Sequence, residues 1–391
     1  MKKIKVLHIV PILAPGGAER VAVHIARGLN RDKYESMVVA LGGRAGCELD
    51  RMIEQEGIEI RYLGKPLGFD YRMYSRLHRV LKDFRPDIVH THLQVLRYVL
   101  PSMALLKRPS LLHTVHNLAE RDTEVRARWI HRYAFHHGVV PVAVAEVVAR
   151  SVERLYDIQR CPTIPNGIPT DYYRCPRTPR SEWRAREEFC DDDVLFVCVA
   201  RFAPQKNHSL LLRAFAEGPA SVPNAHLMLV GDGVLQKQME SQAKDLGVAR
   251  QIHFLGMRAD IPDVLGAADI FVLSSDYEGN PLSVMEAMSS GLPIVCTAAG
   301  GVPGLFENGK EGLIVQPRDL RGLSSSMEYL LGDRETRLSL GKAAERRARE
   351  QFDVSTMVEA YEGLYEKLVD DSHHLEGKSA LREPVIPADS R

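Results

Sequence analysis

Short apolar runs alternate with stretches whose apolar residues recur every three to four positions, along nearly the whole chain. Runs of four to eight apolar residues between turn signals read as parallel strands covered on both faces, and the amphipathic stretches between them as crossover helices. In the first half, strands are expected at 4–10, 35–41, 59–63, 88–91, 111–115 and 139–144. A helix opens at Gly16-Gly17-Ala18-Glu19-Arg20 and runs to about Leu29. The rhythm restarts at 194–200 and continues with strands at 226–230, 252–255, 270–273, 294–296 and 312–315, and with helices over 207–217 and 234–246. This is the βαβ alternation of doubly wound sheets. Between the two series, 157–193 carries Pro162, Pro165, Pro169, Pro176 and Pro179 and reads as a hinge. The expected organisation is a Rossmann-like α/β domain over 1–170, a linker over 171–190 and a second Rossmann-like domain over 191–352. A helix over 353–369 then packs back across the domain junction, and 370–391, which lacks periodicity, forms a disordered tail. Two such sheets imply a ligand cleft between domains.

The most chemically suggestive stretch follows the run Ile270-Phe271-Val272-Leu273. Glu278 stands at the C-terminal end of that strand, Pro281 suits the first turn of a helix continuing to Met288, and Gly291 and Pro293 end it. In an open α/β sheet the crevice beyond the strand ends is where ligands bind. The first amides and dipole of a helix facing it favour an anion such as a diphosphate. Glu286, eight residues after Glu278 and about two turns into the helix, can reach hydroxyls of the same ligand. The plainer alternative is a surface turn with two solvated acids.

Composition adds bounds. A chain of 391 residues exceeds one ordinary core, and 45% hydrophobic with 26% charged residues is the balance of a soluble globular protein. Six scattered cysteines without a C-x-x-C pair point to a reducing compartment and away from structural zinc. The lysines before Val6–Val10 superficially resemble a signal peptide, but the run is short and breaks at Pro11, so a first strand is expected. No apolar segment is long enough to span a bilayer. Residues 1–180 hold 29 Lys and Arg against 18 Asp and Glu, and the remainder 22 against 33. A basic first half points to an anionic contact. Nucleic acid fits poorly because the cations are dispersed and no recognised module is present, whereas a membrane surface or phosphorylated lipid fits better. The helix bearing Arg72, Arg76, Arg79, Lys82 and Arg85 beside Tyr74, Leu77, Leu81 and Phe84 reads either as membrane-facing or, the favoured reading, as a surface helix with a solvated polar face.

Other strand ends carry further candidates. Gly16 and Gly17 allow close approach of a phosphate or acceptor to backbone, or make a plain tight turn. His116 in Thr114-Val115-His116-Asn117 would project from a strand end, where a neutral imidazole can hydrogen-bond a hydroxyl or move a proton. His90-x-His92 resembles a metal pair, but no third ligand of suitable spacing stands out, and the two read as core or strand-end histidines. Arg201 and Lys206 lie five apart across a strand-to-helix turn and can straddle a diphosphate, stabilising charge on a leaving phosphate. Gly231 and Gly233 flank Asp232 at another strand end and fit close approach of a nucleotide, or a simple turn.

Taken in order, Gly16-Gly17-Ala18-Glu19-Arg20, Thr114-Val115-His116-Asn117, Ile164-Pro165-Asn166-Gly167-Ile168, Arg201 with Lys206-Asn207, Gly231-Asp232-Gly233, the Glu278/Glu286 pair and Gly300-Gly301-Val302-Pro303 resemble the retaining glycosyltransferases of family 4, which have the GT-B fold. The resemblance runs from Val6 to about Leu368. It implies two facing Rossmann-like domains, the second binding a nucleotide-diphosphate sugar, with UDP the favoured nucleotide, and the first binding a glycan or lipid-linked acceptor. It implies Arg201 and Lys206 on the donor diphosphate, Glu278 on the donor sugar, and Gly279, Asn280, Pro281 and Leu282 supplying contacts near sugar and phosphates. Glu286 would take the ribose, Gly16 and Gly17 would lie beside the donor phosphate and acceptor, and His116 would contact the transferred sugar. Gly231 and Gly233 would line the donor side. No bound metal or other cofactor is implied, the two cations taking the metal's charge role. Domain closure about the linker would exclude water. The implied setting is polysaccharide, lipopolysaccharide or glycolipid assembly in the cytoplasm, peripheral at the inner face of the plasma membrane. Two departures stand out: Gly304 where relatives commonly carry Glu, and Ala145 where a Ser often caps a helix. The alternatives are a GT-B sugar-nucleotide epimerase and a non-catalytic nucleotide-sugar-binding protein. A dinucleotide oxidoreductase is disfavoured because neither sheet opens with G-x-G-x-x-G.

Overall fold

The computed structural model of the chain describes residues 2–103, 106 and 109–380, the side chains of 372–380 excepted. All twelve expected strands are present. The first six are β1 (Ile4–Val10), β2 (Tyr34–Ala40), β3 (Glu59–Tyr62), β4 (Ile88–His92), β5 (Ser110–Val115) and β6 (Val139–Ala143). They form one sheet in the order β3-β2-β1-β4-β5-β6. The second six are β7 (Val194–Val199), β8 (Ala225–Val230), β9 (Ile252–Gly256), β10 (Ile270–Leu273), β11 (Ile294–Thr297) and β12 (Gly312–Val315). They form a second sheet in the order β12-β11-β10-β7-β8-β9. Pairing is parallel in both sheets. Each sheet starts at a central strand, winds outward, then crosses back and winds the other way. That reversal creates a switch point, between β1 and β4 in one sheet and between β7 and β10 in the other. The strands are Val-, Ile- and Leu-rich because helices cover both of their faces.

The chain forms two compact units that differ from the expected domains. The first comprises Met1–Thr114, Val125–Val142 and the chain from Val358 onward; the second comprises Val115–Glu124 and Ala143–Met357. Residues 115–124 and 143–170, expected in the first domain, therefore belong to the second unit. The expected linker over 171–190 is folded structure within that unit. Pro169 and Pro179 directly precede the helices Thr170–Arg174 and Arg180–Arg186, a position that suits a fixed φ and a missing N–H. Trp183 is fully buried, and Arg184, 1% exposed, bonds the carbonyls of Ala267, Cys190, Asp191 and Asp193 and the carboxylate of Asp269 at 2.7 Å. Asp263 accepts from the amides of Arg177 and Thr178 and from the Thr178 hydroxyl.

The last helix runs Val354–Ala380, so 370–380 are helical where a disordered tail was expected; 381–391 lie outside the described residues. From Val358 it is part of the first unit. Val358 sits against Gly28 where a side chain would collide, Tyr361 Oη lies 3.0 Å from Thr114 Oγ1, and Tyr365 Oη lies 2.6 Å from His90 Nδ1. In the helix Arg72–Phe84, Met73, Leu77, Val80, Leu81 and Phe84 are buried. Its apolar face is spent on the core, so the solvated-surface reading holds and this helix presents no apolar face to a membrane.

Candidate active site

In the second unit, the loops that leave β7 and β10, the strands at the switch point, carry the predicted charges. After β7 the chain makes a short turn over Pro204–Lys206, and Asn207, in the left-handed region with φ 46°, caps the helix His208–Glu217 by accepting from the Leu210 amide. After β10, the buried Ser274 and Ser275 lead into Asp276, Tyr277 and Glu278. The two loops are tied together: the Ser274 hydroxyl donates to the Lys206 and Asn207 carbonyls, the Asp276 amide to the Gln205 carbonyl, and the Asn207 side-chain amide to Asp276 Oδ1 at 3.0 Å.

That scaffold brings Lys206 and Glu278 together. Lys206 Nζ donates to Glu278 Oε1 at 2.6 Å, and Ser275 Oγ donates to the same oxygen at 2.5 Å. Gln205 Nε2 donates to the Tyr277 carbonyl at 2.8 Å and reaches Glu278 Oε2 at 3.4 Å. Glu278 is buried, so its charge is held by one cation and two neutral donors. Arg201 is not part of this cluster; its side chain is exposed. Its loop instead packs on the turn after β8. Gly231 (φ 136°) and Gly233 (φ 149°) lie against the backbone of Ala200 and Phe202, where any β-carbon would collide, and the Phe202 amide donates to the Asp232 carbonyl at 2.7 Å. Both glycines are thus required by conformation and by space.

The turn beyond Glu278 is a stack of backbone with no room for side chains. A β-carbon on Gly279 would overlap the carbonyl oxygen of His116, one on Gly300 (φ 54°) the carbonyl of Glu278, and one on Gly301 the carbonyl of Gly279. Asn166 Nδ2 donates to the Asn280 carbonyl at 2.8 Å, pinning the turn from a residue 114 positions away. The helix spans Leu282–Ser289 and Pro281 is its cap, one position before the expected first turn, with no side chain satisfying the leading amides. Those amides and the glycine stack offer N–H groups to an anion. Glu286 is in the second turn and is buried, its Oε1 accepting from Tyr173 Oη at 3.1 Å.

His116 belongs to this unit, half-buried, with its amide donating to Asp122 Oδ1 at 3.1 Å. Burial lowers its pKa to about 3, so the imidazole is neutral. Burial pushes Asp122 up to about 7, against the pull of the amides of His116 and Asn117. Gly16 and Gly17 lie in the first unit, where Gly16 is the extended residue capping the helix Gly17–Gly28. A β-carbon at Gly16 would meet only the flexible carboxylate end of Glu19, which can shift, and the backbone there is extended, so neither space nor conformation demands glycine. Ala145 caps the helix Glu146–Tyr156 without a side-chain bond. Gly304 faces open space.

Two arrangements escaped the sequence. Ser275, Gln205, Asn166 and Tyr173 hold the predicted acids and their turn, and only Ser275, three residues before Glu278, could have been flagged by spacing. A third histidine also stands beside His90 and His92: His8, on β1, pairs in register with His90 on β4, and ligand atoms of the three lie within 4.8 Å of one another. Within this buried group His90 bridges Tyr365 Oη and Thr114 Oγ1 at 2.6 and 2.7 Å, a core polar network.

Two family descriptions between them match most of the chain: "Glycosyltransferase Family 4" over residues 15–172 and "Glycosyl transferases group 1" over residues 179–347. The chain belongs to glycosyltransferase family 4. Among curated relatives, this glycosyltransferase is 24% identical to the UDP-Gal:alpha-D-GlcNAc-diphosphoundecaprenol alpha-1,3-galactosyltransferase of Escherichia coli, covering 94% of this chain and 98% of that one. It is 23% identical to the N-acetyl-alpha-D-glucosaminyl L-malate synthase of Bacillus anthracis, over 84% and 94% of the two chains. Its fold matches Anabaena HepE in complex with UDP-glucose with a TM-score of 0.81 at 21% identity, covering 93% of this chain and 100% of that one. A glycosyltransferase from Rickettsia africae also matches, at 0.81 and 18% identity, over 94% and 99%. The two doubly wound units are those of the GT-B fold. Among the described residues of this transferase, no helix is long and apolar enough to cross a membrane.

Proposed function

We propose that the second unit binds a nucleotide-diphosphate sugar, with UDP the favoured nucleotide, and that the sugar passes with retention of configuration to a glycan or lipid-linked acceptor held by the first unit. The observation that carries the reading is the contact between half-buried Lys206 and buried Glu278 at the switch point, beside the amide-rich start of the helix Leu282–Ser289. A diphosphate brings two negative charges to amides, to Lys206 and to the exposed Arg201, and a sugar brings hydroxyls to Glu278. As the bond from the anomeric carbon to the phosphate oxygen breaks, its electron pair moves onto the diphosphate. The acceptor oxygen bonds to that carbon from the same face, and its proton goes to the departing phosphate. Lys206 and Arg201 supply the positive charge this step needs. Neutral His116 hydrogen-bonds the transferred sugar, Glu286 the ribose, Gly231 and Gly233 admit the nucleotide close to backbone, and Gly279, Asn280 and Leu282 contact sugar and phosphates. Gly16 and Gly17 open the first unit to the acceptor. UDP is supported by the donors named for the Escherichia coli relative and for HepE. A role at the inner face of the plasma membrane, in contact with anionic lipid, completes the reading.

The experiment is a thermal-shift screen of UDP-, GDP- and other nucleotide sugars, followed by NMR of the product's anomeric configuration. A ligand that binds only the folded chain raises apparent stability by mass action. A UDP-sugar that stabilises the chain and yields a product of unchanged anomeric configuration supports the reading. Inversion overturns retention, and conversion of the nucleotide sugar without an acceptor favours an epimerase.

A further inference from the structure

The core of the first sheet holds a polar group that the transfer chemistry does not use. β1 reads Ile4-Lys5-Val6-Leu7-His8-Ile9-Val10, and a strand covered on both faces calls for an aliphatic side chain at its centre. His8 is instead a fully buried imidazole among the equally buried Val6, Leu7, Ile9 and Val10. Neither of its ring nitrogens has a hydrogen-bond partner among the described residues. A neutral imidazole carries one N–H and one lone pair, and leaving both unmet in a core is costly. A buried group in that state calls for an ion or a water.

The surroundings of His8 decide between them. It pairs in register with His90 on β4, and His92 lies two residues further along the same face. Ring centroids are 5.1 Å apart for His8 and His90, 4.1 Å for His90 and His92, and 6.0 Å for His8 and His92. One ligand atom from each ring lies within 4.8 Å of the others, and all three residues are fully buried. Three imidazoles on a tetrahedral zinc hold their ligating nitrogens about 3.3 Å apart, a spacing that side-chain rotation reaches from here. The set contains no carboxylate, which turns it away from magnesium and calcium and toward the late first-row divalent ions. Tyr365 Oη holds His90 Nδ1 at 2.6 Å, fixing that ring through the nitrogen that need not ligate. His90 Nε2 lies 2.7 Å from Thr114 Oγ1, and that hydroxyl is also 3.0 Å from Tyr361 Oη, so it can turn to the phenol and yield Nε2 to a cation.

We infer that His8, His90 and His92 bind one zinc ion in the core of the first unit. The ion gives His8 the partner it lacks and ties β1 to β4 at the switch point of that sheet. The fourth ligand zinc requires is an oxygen, from Thr114 or a water. Because the group is closed off from solvent, the ion is structural. It also braces the last helix, whose Tyr361 and Tyr365 rings lie 5.1 and 5.9 Å from that of His90. The site stands or falls independently of the donor and acceptor proposed above.

The test uses the full chain without an affinity tag, produced in medium supplied with zinc or with cobalt and then dialysed against EDTA. Burial shields the ion from the chelator, so elemental analysis should find about one metal ion per chain. The cobalt form should add visible absorption bands of tetrahedral strength. Its paramagnetically shifted imidazole N–H resonances count the histidine ligands without recourse to any variant. His8→Leu and His92→Leu fill the same space with an apolar group; with unchanged circular dichroism they should retain less than about a tenth of the metal and lose the visible bands. His8→Leu should also melt no lower than the unsubstituted chain grown in metal-depleted medium, since leucine leaves no polar atom unmet. A folded unsubstituted chain that carries no metal after growth in either medium overturns the inference, as does equal metal in both leucine variants. If Cys190→Ser removes the metal instead, the ion sits at the surface group of Cys190, Asp192 and Asp193, and the inference falls.

Discussion

Lys206 Nζ, half-buried, and Oε1 of the buried Glu278 lie 2.6 Å apart at the switch point of the second sheet. A pair taken out of water is costly to break from one side, because the partner left behind remains buried and charged. Lys206→Ala should therefore destabilise the chain by about 3–5 kcal/mol. Lys206→Met combined with Glu278→Leu should cost less than the two single changes together, a non-additivity read by chemical denaturation. Both singles should also lower the transfer rate by about a hundredfold to a thousandfold. Additive stabilities would mean that the pair does not act as a unit.

Glycine is demanded at some turns of the site and not at others. Gly279→Ala would drive a methyl into the His116 carbonyl, and backbone cannot yield as a flexible side chain can. A loss of about 1–3 kcal/mol is expected, together with loss of transfer as the Glu278–Pro281 turn shifts. Gly304→Ala meets open space and should change stability by less than about 1 kcal/mol, in the stabilising direction. Melting temperatures of the two variants, compared side by side, decide this.

The His116–Asp122 segment should respond to pH in two opposed ways. The His116 pKa is depressed from 6.5 to about 3, so its contribution, a cost of holding the ring neutral, is absent above 6.5 and grows as pH falls toward 3. The Asp122 pKa is raised from 3.8 to about 7, so stability is greatest below 3.8 and is lost as pH rises toward 7. Asp122→Asn keeps an oxygen for the His116 amide but cannot ionise. Its stability relative to the unsubstituted chain should climb between about pH 4 and 7 and level off above, by a few kcal/mol in all. Parallel pH profiles for the two proteins would contradict the assignment.

Arg184 anchors the segment whose prolines suggest a linker. Replacing it with Ala removes a buried cation that five acceptors share and should destabilise by about 3–5 kcal/mol. In the unsubstituted chain, limited proteolysis should leave 171–190 uncut. Rapid cleavage there would restore the linker reading.

The strands were legible because each is a continuous apolar run between turn residues, and no observed end differs from the expected one by more than one residue. The placement of Lys206 and Glu278 just beyond strand ends was legible because each follows an apolar run closely along the chain. What sequence concealed depends on partners distant along the chain. Pro176 and Pro179 suggested a hinge, but burial of Trp183 and Arg184 depends on Asp260 and Asp269, some eighty residues later. His8 joins His90 and His92 only through the register of β1 on β4, and Asn166 meets Asn280 only in three dimensions. The helicity of 370–380 continues a helix whose apolar periodicity has already faded, so no local signal extended it.

The packing of Val358, Tyr361 and Tyr365 into the first unit has a consequence for biosynthesis. When the ribosome has made β1 to β6, the groups that cover Gly28, Thr114 and His90 have yet to be translated. The N-terminal sheet cannot complete its packing until the remainder of the second unit, Ala143–Met357, has emerged. A nascent chain halted before residue 358 should thus expose that face, making it the part most in need of a chaperone.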